Sequence, residues 1–235
     1  MALADAMQLK PAKSSMHVVS DRPFLLVERY DRFMDVSGRR QRLHQEDFCQ
    51  ALGVVPELKY QSEGGPDLAR CFDLVRRITR PNAPQVLRLF DYVVFNALIG
   101  NHDAHAKNFS LLYSGKTPIL APLYDALSTA VYSTLTSKMA MKIGGKFKFS
   151  EVRASHWMQL SEAVGLAKAQ AKRRILELAK SLPVTARKLQ AQPGHAFAGH
   201  PVVERINALI EQRCALTIRR LTDDPVAENE ASTSS

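Results

Sequence analysis

The segment "IGNHDAHAKNFSLLY", residues 99–113, gathers His102, Asp103, His105, Lys107 and Asn108 within seven positions, between an apolar run and a strand-like stretch. A carboxylate and an amide five residues apart suit phosphoryl transfer. The carboxylate orients an attacking hydroxyl and takes its proton, while the amide oxygen helps to hold Mg²⁺ on the phosphates. That chemistry asks for a second metal-binding carboxylate, and Asp125 in "PLYDALS" supplies it at the end of the strand, turn and strand that follow. Lys107, inside the loop, can neutralise charge on a transferred phosphoryl group. The same residues admit other readings. A lone D-x-x-x-x-N is frequent by chance. His102, Asp103 and His105 are also like the His-Asp pairs of metal hydrolases, although His44, His156, His195 and His200 show no partnered spacing to complete such a site. Tyr124 is as readily a core aromatic as a contact to a base.

The elements that must hold this loop are mostly helical. "PQVLRLFDYVVFNALIG" opens on Pro84 and ends at Gly100, and its apolar residues crowd most of the circumference, which predicts a buried helix leading straight into the loop. "DLARCFDLVRRITR" predicts a helix that stops before Pro81, and "QEDFCQALG" predicts one closing on Gly53. After the loop come short strands at "FSLLY", "ILAPLYD" and "KMAMKIGG". The chain then returns to helix: "SEVRASHWMQLSEAVG" with Ser150 as N-cap, "LAKAQAKRRILELAKSL" stopped by Pro183, and a last helix near Pro201. Upstream, "HVV" and "FLLV" around Ser20, Asp21 and Pro23 read as a hairpin. Residues 1–15 and 221–235 are polar and small, so both ends are expected to be disordered around one domain at 16–220.

With 235 residues and 46% hydrophobic content the chain has enough apolar surface for a core. It carries no run of about 18 apolar residues and no basic-then-apolar start, which points away from a membrane span or secretory signal and toward the cytoplasm. Cys49, Cys71 and Cys214 are scattered and lack CxxC spacing, against both a disulfide framework and a zinc site. The net charge of +9 favours anionic partners. It is spread over several short basic runs, however, for which solvated helix faces are the commoner meaning than direct nucleic-acid contact.

The loop has the spacing of the kinase catalytic motif H-x-D-x-x-x-x-N, except that the histidine is adjacent to the aspartate. "LIGNHDAHAKNFSLLY" followed by "LAPLYDALST" resembles the C-terminal lobe of the HipA family of bacterial serine/threonine kinases, the toxins of type II toxin-antitoxin modules. The likeness extends to "LLVERYDR" (25–32), "LHQEDFCQALG" (43–53), "KYQSEGGP" (59–66) and "AMKIGG" (140–145), and covers roughly residues 16–220. The resemblance implies a mainly α, α+β, kinase-like C-lobe bundle with a short N-terminal hairpin and hinge and a small β element at the catalytic loop. It implies ATP and Mg²⁺ as cofactors, Asp103 as catalytic base, and Asn108 and Asp125 as metal ligands. His105, Ala106, Lys107, Asn108, Tyr124 and Asp125 would line the nucleotide, with Glu28, Arg29 and Tyr30 along the adenine as the hinge. It also implies a helix-turn-helix antitoxin as partner and a protein substrate of the aminoacyl-tRNA synthetase kind. Aminoglycoside and choline phosphotransferases share D-x-H-x-x-N, so the loop leaves the acceptor open.

The chain departs from that family ahead of the hinge. No glycine precedes Glu28, and the two lysines there, Lys10 and Lys13, lie in the polar start, so neither a glycine-rich loop nor a strand lysine can be placed. Impaired activity of the chain alone is therefore expected. A catalytically silent lobe that binds an antitoxin is the competing expectation.

Overall fold

A computed structural model describes residues 1–192, 197 and 199–223. The apolar stretch ahead of the loop forms the axis of the molecule: in the helix Asn82–Ile99 every residue from Leu89 to Ile99 is buried. In chain order the elements are α1 (Ala2–Ala6), β1 (Ser14–Val19), β2 (Arg22–Val27), β3 (Arg32–Met34), β4 (Arg40–Arg42), β5 (His44–Asp47), α2 (Phe48–Ala51), α3 (Leu68–Ile78) and α4 (Asn82–Ile99). They continue with β6 (Ser110–Tyr113), β7 (Ile119–Leu120), β8 (Lys138–Ile143), β9 (Lys146–Lys148), α5 (Ala154–Ala163), α6 (Lys168–Ala191) and α7 (Pro201–Asp223). Helices α3, α6 and α7 pack around α4. Where α4 meets α6, Arg174 donates from Nε and Nη2 to the two oxygens of Asp91 at 2.6 and 2.8 Å, so the buried carboxylate of a mostly apolar helix is paired.

Four small antiparallel sheets accompany this bundle among the described residues. The one that matters for the loop has strand order β5-β6-β7, with Asp47 opposite Ser110 and Leu111 opposite Leu120. It fixes the chain immediately after Asn108. β1 and β2 pair from Ser14–Val27 to Val19–Arg22 as the expected hairpin.

Five local expectations need correction. Residues 1–15 are ordered: α1 buries Ala4, Leu9 and Ala12 are buried, and Pro11 bridges Leu123, because short apolar side chains there fill space beside α6 and the strand that leads to Asp125. "QEDFCQALG" is strand to Asp47 and helix only over Phe48–Ala51, since pairing with β6 outweighs the local helical pattern; Asp47 then caps the short helix through Gln50. Helix α5 starts at Ala154 after Arg153, and Ser150 sits in the preceding single turn Phe149–Glu151. Helix α6 runs through Pro183 to Ala191. The missing N–H costs one backbone bond, but Leu178, Ala179, Leu182 and Ala186 are buried on both sides of it and hold the helix in place. Leu221, expected in the disordered tail, is buried on α7, while residues 224–235, like His195, lie outside the described residues.

The β1–β2 hairpin stays a two-stranded sheet with both edges open, and Met16, Val18, Val19, Phe24, Leu25, Leu26 and Val27 are each at least 42% exposed. Open edges with apolar faces template association. The isolated chain is therefore expected to self-associate with rising concentration, and Leu25→Lys with Val27→Lys to return it to monomer. Sedimentation velocity checks this; a monodisperse wild-type monomer across the micromolar range counts against it.

Candidate active site

Helix α4 ends where Gly100 takes φ +76°. A Cβ at that point would meet Leu209 Cδ2 at 2.7 Å and Ala130 Cβ at 2.8 Å, so the turn into the loop requires glycine on both conformational and steric grounds. The next residue, Asn101, is buried and joins the two carboxylate-bearing segments. Its Oδ1 accepts from the Asp103 backbone N–H at 3.2 Å. Its Nδ2 donates to Asn96 Oδ1 and to the Asp125 carbonyl, both at 3.0 Å. Asp125 has φ +54°, a left-handed conformation that aspartate tolerates better than most residues.

Residues Ala106–Asn108 form a single helical turn closed by Asn108, whose Oδ1 accepts from His105 N at 3.0 Å. Asn108 Nδ2 donates to Asp125 Oδ2 at 2.5 Å. Asp103, Asn101, Asp125 and Asn108 are thus linked in one continuous chain of hydrogen bonds across the loop. Tyr124, beside Asp125, donates its hydroxyl to the Lys107 carbonyl at 2.6 Å and lies 2.6 Å from Ser110 Oγ, which ties the loop to β6.

Asp103 is held from outside the loop. Tyr60 donates its hydroxyl to Asp103 Oδ1 at 2.6 Å, and its ring stands edge-on to His105 with centroids 5.1 Å apart. The hydrogen bond to Asp103 comes first among the causes that push the Tyr60 phenol up to about 12, so it stays a donor. The Tyr60 carbonyl accepts from Glu63 N and Gly65 N at 3.0 and 2.9 Å, and a Cβ on Gly65 would fall 2.2 Å from the Leu58 carbonyl. The Gly64-Gly65 turn therefore presents Tyr60 rigidly.

The two loop histidines differ. Thr136 O and Arg213 Nη2 lie 2.9 and 2.7 Å from the ring nitrogens of His102. His105 Nε2 is 4.0 Å from Asp103 Oδ1, and its buried Nδ1 has no partner among the described residues. Burial is the first cause lowering both pKa values from 6.5. A depressed histidine pKa means the unfolded state takes up protons first. The stability these rings contribute is present above about pH 6.5 and is lost as pH falls below it. The urea midpoint is expected to be lower at about pH 5 than at about pH 7.5. An unchanged midpoint would contradict the buried, neutral rings.

The predicted site residues divide accordingly. Asp103, His105, Ala106, Lys107, Asn108, Tyr124 and Asp125 come together. Of the hinge, Tyr30 reaches the site, its ring 6.2 Å from that of Tyr124. Glu28 instead pairs with Lys13 at 3.7 Å, and Arg29 clamps Asp31 with bonds of 2.8 and 2.6 Å. Hydrogen bonding from Arg29, ahead of that from Arg32, holds the Asp31 carboxyl down to about 2 and anchors the hinge. Sequence reasoning missed Asn101 and Tyr60 as site residues. The first stands directly after a helix-ending glycine, and the second four residues before a Gly-Gly turn, which are the signals that mark them.

Asp125 carries carboxylate oxygens and Asn108 an amide oxygen, hard donors of the kind that Mg²⁺ uses when it arrives with phosphates and keeps waters of its own; here Asn108 turns Nδ2 to Asp125 and Oδ1 to the His105 N–H, so its amide would have to turn over to join a cation. His102 does not join it, because both ring nitrogens are taken. Cys49, Cys71 and Cys214 are free and buried. No helix among the described residues is long and apolar enough to cross a membrane.

A family model described as the HipA-like C-terminal domain matches residues 1–186. "Putative kinase Y4mE" of Sinorhizobium fredii is 49% identical over 181 residues, 77% of this chain and 43% of that protein. The serine/threonine-protein kinase toxin HipA of Shewanella oneidensis is 29% identical over 174 residues, 68% of this chain and 39% of the toxin. The chain spans about two fifths of the length of these curated relatives. Among solved structures, HipA from the Shewanella oneidensis MR-1 complex of HipA, HipB and operator DNA matches with a TM-score of 0.85 at 24% identity, over 95% of this chain and 55% of that one. The Helicobacter pylori proinflammatory kinase CtkA matches with a TM-score of 0.59 at 13% identity, over 94% and 80%. At such identities these matches establish the fold, an α+β kinase-like one.

Proposed function

The chain belongs to the HipA-like C-terminal domain family, and from that premise we propose that it is the catalytic lobe of a cytoplasmic serine/threonine protein kinase acting as the toxin of a toxin-antitoxin pair. The observation that carries the reading is the hydrogen-bonded line from Tyr60 through Asp103 and Asn101 to Asp125 and Asn108. It supports the reading because it ties Asp103, a carboxylate able to take a proton, to the neighbouring segment with Asp125 and to Asn108, and transfer of a phosphoryl group to a hydroxyl needs both a proton acceptor and oxygens for a cation.

Tyr60 fixes Oδ1 of Asp103 and leaves Oδ2 to orient the acceptor hydroxyl and take its proton as the new phosphoester bond forms. Asn108 and Asp125 would hold Mg²⁺, which would supply neutralisation of charge on the phosphates of ATP. Lys107 adds a positive charge to the same loop, and Tyr30 with Tyr124 offers aromatic surface for the adenine. The partner we propose is a HipB-like antitoxin, by analogy with the Shewanella complex.

Transfer of label from radiolabelled ATP with Mg²⁺ to a serine-bearing protein tests the reading. Label is expected with wild type and lost with Asp103→Ala, while nucleotide binding persists. Equal labelling by both proteins would remove Asp103 from the chemistry. The second reading, a silent antitoxin-binding lobe, is favoured by the open apolar hairpin. It predicts antitoxin binding with no label from either protein.

A further inference from the structure

Helix α7 lies beyond the stretch that the family model matches, yet one of its side chains enters the stem of the candidate loop. Arg213 Nη1 donates to the Ala97 carbonyl at 2.8 Å, at the last turn of α4, and Nη2 lies 2.7 Å from His102 Nε2. Its guanidinium carbon stands 4.4 Å from the centroid of the Phe149 ring. Arg213 is half-buried, and among the described residues no carboxylate pairs with it; burial brings its pKa down to about 10, so it remains a cation at neutral pH.

The chemistry of these contacts determines the state of His102. A guanidinium only donates, so Nε2 must accept, and the ring must be neutral with its proton on Nδ1. Nδ1 then donates to the Thr136 carbonyl at 2.9 Å. The His102 backbone N–H is taken by Thr129 Oγ1 at 2.8 Å, which itself donates to the Gly100 carbonyl. The residue directly before Asp103 is therefore held at its ring from two sides and at its backbone from a third. Only the Arg213 hold comes from a distant helix.

We propose that Arg213 is a positioning residue for the phosphoryl-transfer loop, acting through the neutral ring of His102, so that α7 sets the geometry of Asp103 and, in the same short loop, of Asn108. The role of the loop in transfer rests on the kinase reading above. The coupling of α7 to the loop does not, and it is read without nucleotide.

The experiment uses the full chain, with Arg213→Met, which keeps length and apolar stem, and Arg213→Lys, which keeps one donor. Imidazole ¹⁵N shifts report the His102 tautomer, and backbone hydrogen exchange reports residues 101–108 against α3 and α6. In Arg213→Met the hydrogen-bonded Nε2 signature of His102 is expected to disappear. Exchange over 101–108 should quicken at least tenfold while α3 and α6 keep their protection, and affinity for ATP with Mg²⁺ should fall. Arg213→Lys should restore part of each. Unchanged His102 shifts and loop protection in Arg213→Met would overturn the proposal. So would a uniform loss over every helix, which is plain destabilisation, and so would a loosened loop with unaltered nucleotide affinity. Should wild type bind no nucleotide, the kinase reading fails, and the assignment of a transfer role to Arg213 fails with it even if the exchange results hold.

Discussion

Replacing Asp125 by asparagine is expected to lower Mg²⁺-dependent ATP affinity by at least about a hundredfold, roughly 2.7 kcal/mol, while Asp103→Asn leaves it within about threefold of wild type. Both residues belong to the same hydrogen-bonded line, but they are placed to act at different stages. On the proposed reading Asp125 offers its carboxylate beside Asn108 to a cation that would bind before any bond is broken, so its charge would contribute to the ground state. Asp103 is held by Tyr60 with one oxygen and acts on a proton that moves only as transfer proceeds. Asparagine accepts the positive φ of position 125 about as well as aspartate does, so the backbone should survive the change. Calorimetric titration of ATP with and without Mg²⁺ separates the two. Equal losses in the two variants would mean that base and metal ligand have been misassigned.

Asn101→Leu is expected to be the most destabilising single substitution in the loop, by about 2–5 kcal/mol, a large part of the stability of an ordinary domain. Leucine keeps the branching of asparagine, two δ atoms on one γ atom, so the loss is chiefly one of partners. It leaves the Asp103 N–H and the buried Asn96 Oδ1 without the hydrogen bonds that Asn101 provides, and the Asp125 carbonyl must turn to water. A buried polar group left unpaired costs its full desolvation. Urea unfolding followed by circular dichroism measures this. A drop of less than about 1 kcal/mol would show that the three contacts are dispensable.

Several features of the fold and site were legible in the residues alone because they depend on short-range rules. Apart from Asp91 and Asn96, residues Leu89–Ile99 are apolar around the whole helix, and only burial suits such a surface. Gly100 ends that helix because φ +76° is cheap for glycine alone. Asp103, His105 and Asn108 share one tight turn because the intervening residues are too few to separate them, and the short strands after them carry Tyr124 and Asp125 back to it. Local rules also erred where a distant partner intervened. The helical pattern at Gln45–Asp47 gave way to pairing with β6, Pro183 was carried through by apolar contacts on both sides, and Ala4, Leu9 and Ala12 in the N-terminal segment found buried places.

What fixes the state of the loop came from farther away. Tyr60 is 43 residues from Asp103, Arg213 is 111 from His102, and the Asp125 carbonyl is 24 from the Asn101 amide. Residue type and spacing along the chain determined which groups are able to take a proton or hold a cation. The tertiary structure alone decided which oxygen of Asp103 is already occupied, which nitrogen of His102 carries the proton, and how Asp103 and Asp125 are joined. Those are properties of donors and acceptors brought within 3 Å or so by packing, and no periodicity in the sequence encodes a meeting between side chains whose separation is set by helices α3, α4 and α7.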